Sequence, residues 1–335
     1  MKVCVVTVTY GNRFHLLEKL LNALLDIAIS EVVIVSNGSK EESSKALKAY
    51  LEGYPKSFNL LELSSNIGSA GGFRLGIEQT LKSSCDFVWI LDDDNLPKKD
   101  ALEVLKKYWA QLVDETEYQQ TALVSNRIDR QNFNKVLATK RADDILPRKN
   151  NFMGFHWADM FERLYERLYK KSLYQDAQVS DYAKIPAAPY GGLFFHRSLL
   201  NNIDLPPKEY VLYMDDFAFT LPITENGGNI YLIGESILED SENSTYLPKS
   251  KKWLHHTLFD SKIQHSYYTL RNILYFCKKH LLDNFWVFKL NQYSFYVLIA
   301  TMAVLRGETS RLKVLKDAVE DVDKGRMGLN DNYIL

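Results

Sequence analysis

Phe87-Val88-Trp89-Ile90-Leu91 is an unbroken apolar run that ends in three consecutive carboxylates, Asp92-Asp93-Asp94. Five residues are too few for a buried helix, and the aromatic and β-branched content favours a strand covered on both faces. In open α/β sheets ligands gather just outside the carboxyl ends of the strands, where these three Asp residues would stand. Two unit charges about 4 Å apart repel by roughly 4 kcal/mol at an effective dielectric of about 20. Three of them on one strand end therefore call for a cation, and oxygen-only ligation favours Mg²⁺ or Mn²⁺ over zinc. The alternative is a solvated acidic turn capping the helix that begins near Pro97-Lys98-Lys99-Asp100.

The elements before this strand alternate in kind. Lys2 to Thr9 is β-rich, and Tyr10-Gly11-Asn12-Arg13 is a turn. Phe14, Leu17, Leu20, Leu21, Leu24 and Leu25 then repeat at helical spacing. Glu31 to Gly38 is a second strand, Glu41 to Leu51 a short helix, and Phe58 to Leu63 a third strand. A helix is predicted from about Phe73 to Lys82. Strands and helices alternating at this spacing imply a parallel, doubly wound sheet. Beyond it come a helix through Leu102, Leu105 and Trp109 and a strand at Thr121 to Ser125. Residues 127–184 are irregular and read as an insertion or lid. Ala187 to Phe195 is predicted as a strand whose Gly191-Gly192 pair admits a close approach, and Ile230 to Ile233 as a later strand.

Composition narrows the function classes. With 46% hydrophobic and 13% aromatic residues in 335, one large domain with an elaborated C-terminal part is expected. A formal net charge of −1 provides no electrostatic reason to expect nucleic acid as a partner. Cys4, Cys85 and Cys277 are odd in number and widely spaced, which predicts free thiols in a reducing cytosol. The chain reads as opening directly on a strand and not on a signal peptide, and cytoplasmic localisation is expected.

Two further stretches carry chemistry. Gly68, Gly71 and Gly72 lie between a strand and a helix, where backbone amides can approach an anion; tight helix–strand packing explains them equally well. Neither the dinucleotide fingerprint nor the P-loop pattern is present. Asp215-Asp216 is a second acidic pair, in which one carboxylate can serve as a general base or both can form the acidic first turn of a helix.

Val5 to Arg13, Asn66 to Phe73, Leu91-Asp92-Asp93-Asp94 and Met214-Asp215-Asp216 stand in an order that resembles glycosyltransferase family 2, most of all bacterial galactofuranosyltransferases and rhamnosyltransferases. Tyr267-Tyr268-Thr269-Leu270-Arg271-Asn272 also resembles a segment of those enzymes. The resemblance spans roughly residues 3–125 and 187–275. It implies a GT-A fold: a Rossmann-like, mostly parallel central sheet flanked by helices over 1–275, with 127–184 inserted, and a helical C-terminal extension over 276–335. It also implies an inverting, metal-dependent transfer of a sugar from a UDP or dTDP donor to a hydroxyl of a cell-surface glycan such as capsule, O-antigen or cell-wall polysaccharide. UDP-galactofuranose is the first choice of donor and dTDP-rhamnose the alternative. By this resemblance Thr9, Tyr10, Arg13 and Asn37 would line the nucleoside pocket, and Asn66, Gly71 and Gly72 the ribose and diphosphate side. Asp92 and Asp93 would contact the donor, and Asp94 with Asp92 and Asp240 would hold Mn²⁺ or Mg²⁺. Asp216, with Asp215 beside it, matches the base that deprotonates the acceptor.

Three positions depart from the family pattern. Asp240 stands 24 residues beyond Asp216, where the family carries a metal-binding His; Ala218 replaces an acidic residue, and Pro222 an Arg. His255, His256 and His265 are nearby in sequence and read as surface residues or as substitute ligands. A non-catalytic, glycosyltransferase-like partner subunit is therefore an alternative. A nucleotidyltransferase would need a Gly-rich, basic loop near Met1, and Thr9 to Arg13 is not one. Phe285 to Phe288 and Tyr293 to Leu305 form an apolar stretch shorter than the ~20 residues of a membrane span. Flanked by Lys278, Lys279, Lys289, Arg306 and Arg311, it reads as a buried helix, as a helix lying on the inner face of the membrane, or as a homo-oligomer contact.

Overall fold

A computed structural model of the chain describes residues 1–54, 58–142, 145–161, 180–241 and 256–335. The chain divides into two compact units, one of residues 1–145, 177–208 and 215–244, the other of 146–176, 209–214 and 245–335.

The first unit is built on a nine-stranded sheet. Its strands are β1 (Val3–Gly11), β2 (Glu31–Ser39), β3 (Phe58–Leu63), β4 (Phe87–Ile90), β5 (Asn95–Pro97), β6 (Thr121–Arg127), β7 (Tyr182–Ile185), β8 (Leu193–His196) and β9 (Asn229–Asp240). They run in the order β3-β2-β1-β4-β8-β6-β9-β5, with β7 also on β9. The β3-β2-β1-β4 half is entirely parallel, as the alternating pattern requires, and β6 is parallel to β9. β8 enters antiparallel between β4 and β6. The helices are α1 (Phe14–Leu25), α2 (Glu41–Glu52), α3 (Gly68–Thr80), α4 (Ala101–Leu112), α5 (Gln131–Thr139) and α6 (Asp215–Glu225).

Period-two alternation divides the strand side chains between two cores. Val6, Val8, Val33, Val35, Val88 and Ile90 face one side, with Phe73 and Ile77 of α3 and Phe219 of α6. Val5, Val32, Ile34, Phe87, Trp89 and Leu91 face the other, with the leucines of α1 and with Leu102, Leu105 and Trp109 of α4. Burial on both faces explains why these strands read as continuous apolar runs.

Three expectations change, and the strand β5 was not foreseen. Helix α3 starts at Gly68, five residues earlier than predicted, so Gly71 and Gly72 lie inside it. A Cβ on Gly72 would come within 2.7 Å of Val8, and one on Gly76 within 2.5 Å of Val6. The glycines let the helix lie close on β1, and that gain outweighs their low helix propensity. β8 begins only at Leu193; the stretch before it is a turn, with Gly192 at φ 97. β5 is a three-residue edge strand with no apolar signature, held by pairing with β9. Cys4 and Cys85 are joined as a disulfide, against the expectation of free thiols, because parallel pairing of β1 with β4 brings positions 81 residues apart side by side; Cys277 alone is free, and buried.

The second unit contains α7 (Ile263–His280), α8 (Phe285–Arg306) and α9 (Arg311–Asp323), the helical C-terminal region. Residue 275 lies inside α7. Phe152 packs its ring on Phe288, Phe295 and Tyr296 of α8, and Asn291 donates to the Asn150 carbonyl. The opposite face of α8 leaves Trp286, Tyr293, Val304 and Leu305 at least two-thirds exposed. Among the described residues, no helix is long and apolar enough to cross a membrane. His255 lies outside the described residues, and His265 Nδ1 pairs with the Tyr213 hydroxyl at 2.7 Å.

Candidate active site

The carboxyl ends of β1, β2 and β4 converge as a parallel sheet dictates. At the end of β1, Thr9 Oγ1 donates to Asp93 Oδ2 at 2.8 Å, and Arg13 reaches Asp93 through Nε (3.0 Å to Oδ2) and Nη2 (2.8 Å to Oδ1). Asp93, 3% exposed, is thus satisfied inside the protein, and it fixes Arg13, which also lies 3.6 Å from Asp94. Tyr10 is exposed, with the Arg13 guanidinium 5.2 Å from its ring centre. At the end of β2, Asn37 accepts from Ile67 N and donates to Asn66 Oδ1 and the Gly68 carbonyl, while Asn66 Oδ1 accepts from Gly68 N. Asn37 and Asn66 therefore build the entry to α3 and occupy the amides of Ile67 and Gly68, which leaves the amides that follow in its first turn to face an anion.

Asp92, Asp94 and Asp240 form the acidic centre. Asp240 is brought there by β5–β9 pairing, which sets it opposite Asn95. Asn95 Nδ2 donates to Asp240 Oδ1 at 3.0 Å and to Asp94 Oδ1 at 3.4 Å. The feature that sequence patterns missed is Arg127, at the end of β6. Its Nη1 donates to Asp92 Oδ2 at 3.0 Å and its Nη2 to Asp240 Oδ2, so one buried guanidinium links the two carboxylates. Gly191 closes over this network: a Cβ there would lie 2.5 Å from Asn95 Oδ1, 2.7 Å from Asp92 Oδ2 and 2.8 Å from Arg127 Nη1. Nothing in the local pattern of β6 marks Arg127 as more than a charged strand end, and a pair of arginines three apart is the only trace in sequence.

The charge is unevenly compensated. Burial, then the charges of Asp92, Asp93 and Asp240, push Asp94 up to about 7. Among the described residues, no three oxygens of Asp92, Asp94 and Asp240 lie within 4.8 Å of one another. The donors are nevertheless all hard oxygens, and the carboxylate least served by arginine, Asp94, is the one whose charge a divalent cation would stabilise. The residues fit such an ion at Asp94 and Asp92. Asp240 has one oxygen on Arg127 and the other on Asn95, so it could ligate only by exchanging one of these.

Asp215 and Asp216 open α6, where the helix dipole favours negative charge. Asp215 is buried and accepts from Ser69 Oγ at 2.9 Å; burial and the adjacent Asp216 push it up to about 8. Asp216 is half-buried, its Oδ1 accepting from Phe217 N at 2.8 Å. Burial raises it to about 6, against the pull of Phe217 N and of Arg130. Arg130 in turn is drawn down to about 10 by burial and by Arg127, and it feels the charges of Asp92, Asp240 and Asp216. One carboxylate is thus held protonated near neutrality while its neighbour ionises, a separation of roles that acid–base chemistry uses.

The model of the family described as glycosyl transferase family 2 matches residues 4–201, which carry β1 to β8 and the Asp92–Asp94 cluster. The galactofuranosyltransferase GlfT1 of Mycolicibacterium smegmatis is 31% identical over 101 residues, a match spanning 28% of this chain and 30% of that protein. Two solved structures share the fold at low identity. The mannosyltransferase PcManGT from Pyrobaculum calidifontis, in complex with GDP-Man and Mn²⁺, has a TM-score of 0.51 at 19% identity, over 96% of this chain and 86% of that one. S. aureus TarS 1–349, in complex with UDP-GlcNAc, has a TM-score of 0.52 at 14% identity, over 96% and 80%. The α/β sheet is therefore a GT-A fold, and the chain belongs to glycosyltransferase family 2.

Proposed function

We propose that this chain is an inverting glycosyltransferase that moves galactofuranose from UDP-galactofuranose to a hydroxyl of a cell-surface glycan or its lipid-linked precursor. The observation that carries the reading is one cluster in which Arg127 bonds both Asp92 and Asp240, Asp94 feels those two carboxylates, and Arg130 feels Asp92, Asp240 and Asp216 together. Donor-side and acceptor-side carboxylates thus belong to one electrostatic system. The likeness to a galactofuranosyltransferase supports the sugar.

In this reading Thr9, Tyr10, Arg13 and Asn37 border the nucleoside, with Thr9 and Arg13 held by Asp93. Asn66 shapes the start of α3, Gly71 makes room for the Ile67 side chain there, and Gly72 lets the amide-bearing end lie against Val8 of β1 and Asn37 of β2, where a diphosphate would be received. Asp94 and Asp92, with Asp240 as third ligand, would hold a divalent ion, whose chemistry is to offset charge on the departing diphosphate. Asp216 takes the proton from the acceptor hydroxyl, which then attacks the anomeric carbon in line and inverts it. Asp215, kept protonated by burial, orients the start of α6 through Ser69. The exposed aromatic face of α8, with Lys289 and Arg306 on the same helix, suits contact with an anionic membrane surface carrying a lipid-linked acceptor.

Incubation with UDP- and dTDP-sugars, with and without Mn²⁺, tests this directly. Nucleotide release that needs an acceptor supports the enzyme, and a dTDP-rhamnose preference would redirect the sugar. Donor binding without turnover on any acceptor would favour the non-catalytic reading, toward which Ala218, Pro222 and the Arg127–Asp240 pair point.

A further inference from the structure

Tyr267-Tyr268-Thr269-Leu270-Arg271-Asn272 in α7 has no part in the chemistry above, yet Arg271 and Asn272 are fully buried. Arg271 Nε donates to Asn272 Oδ1 at 3.0 Å, which turns the amide nitrogen of Asn272 toward backbone carbonyls. Asn272 Nδ2 donates to the carbonyls of Tyr210 and Leu212 at 2.6 Å each and of Tyr213 at 3.1 Å. Arg271 Nη2 reaches the Tyr210 carbonyl at 3.1 Å and that of Glu209 at 3.4 Å, and Nη1 the Gly328 carbonyl at 2.6 Å. The rings of Tyr267 and Tyr268, with centres 5.3 and 4.9 Å away, complete the shell of the buried guanidinium.

The backbone gathered in this way is unusual. Val211, Tyr213 and Met214 have φ of 67°, 68° and 63°, a left-handed region that L side chains rarely adopt and a β-branched one least of all. Leu212 N donates to the Tyr210 carbonyl at 2.8 Å and closes a three-residue turn about Val211, the rare, strained form of that turn. Such a path persists only where its surroundings over-determine it. The next residues in the chain are Asp215 and Asp216.

We propose that Arg271 and Asn272 are positioning residues for the catalytic carboxylate. By collecting the carbonyls of residues 209, 210, 212 and 213, they hold the left-handed path by which the chain enters α6, and so set the position of Asp216. The inference rests on Asp216 being the base.

Three variants test it: Asn272→Ala, Arg271→Lys and Asn272→Ala combined with Met214→Gly. Asn272→Ala should lower kcat ~10²-fold, the scale of an ångström's misplacement, with the donor KM little changed. Amide hydrogen exchange should quicken in residues 209–216 and stay at the parent rate in β1, β2 and β4. Arg271→Lys keeps the charge but loses the contact that orients Asn272, and should show the same local effect to a smaller degree. Glycine accepts the left-handed conformation without strain, so the double variant should recover most of the lost kcat. Unchanged exchange at 209–216, or loss of kcat that glycine does not rescue alongside faster exchange throughout the sheet, overturns the proposal. An Asp216→Asn variant at the parent rate would remove the base assignment alone, and the exchange pattern would still decide whether the clamp holds the segment.

Discussion

Replacing Arg127 with Met keeps much of the side-chain volume and removes the guanidinium that links Asp92 to Asp240. Arg127 is 3% exposed and Asp240 4%, so that pair is buried, whereas Asp92 is 33% exposed and its pair is partly screened. Removing one member of a buried ion pair costs about 3–5 kcal/mol, because the remaining charge is left unmatched. The partly solvated Asp92 pair adds at most about 1 kcal/mol. Asn95 still donates to Asp240, which keeps the loss at the lower end of that range. For a folded unit of about 200 residues each kcal/mol moves Tm by roughly 2–4 °C, so Arg127→Met should melt roughly 6–16 °C below the parent. Thermal unfolding followed by circular dichroism measures this. Mn²⁺ should raise the Tm of the variant more than that of the parent, since the two freed carboxylates gain a cation in exchange for the one removed. If the two proteins melt within about 2 °C of each other in chelator, a difference too small for any unmatched buried charge, the electrostatic account of Arg127 is wrong.

Asp94→Ala should abolish the Mn²⁺-dependent part of UDP binding in titration calorimetry, and equal UDP affinity with and without Mn²⁺ in both proteins would remove the metal assignment. With Asp216 at about 6, the base is active only once ionised, so kcat/KM should rise with pH through about 6 and then level off; Asp216→Asn should lower the rate about 10²–10⁴-fold and abolish that rise, with donor affinity unchanged. Asp215 has its folded value raised to about 8, above the ordinary carboxylate value, so its burial opposes folding increasingly as pH rises from about 4 toward 8. Asp215→Asn should therefore gain stability over the parent by a few kcal/mol, on the order of magnitude set by linkage, at pH 8 and by little at pH 4 in urea unfolding; an equal gap at both pH values would show that Asp215 does not titrate with folding. Gly191→Ala should disturb Asn95, Asp92 and Arg127 together, lowering transfer while circular dichroism shows an intact fold.

The parallel β3-β2-β1-β4 half of the sheet was legible in the sequence, whereas β5 and β7 were not. Phe58–Leu63 was predicted and is found, β1, β2 and β4 agree within two residues or so at their ends, and the strand-end placement of Asp92 to Asp94 follows from the parallel order. These are local properties: an apolar run of strand length, a helical repeat of leucines and a glycine between them each act through neighbours in sequence. The start of α3 was misplaced because the benefit of its glycines lies in contact with Val8 and Val6, not in the helix itself. Arg127 could not be read at all, since its partners lie 35 and 113 residues away and become neighbours only when β6 takes its place beside β8 and β9. The Cys4–Cys85 bond likewise waits on β1 pairing with β4, and the left-handed turn of Val211 to Met214 on carbonyls met by Arg271 and Asn272 some sixty residues later. Local sequence set where strands end and which carboxylates stand there; the charge balance of the site was decided by topology, because a counter-charge is chosen by distance in space and not along the chain.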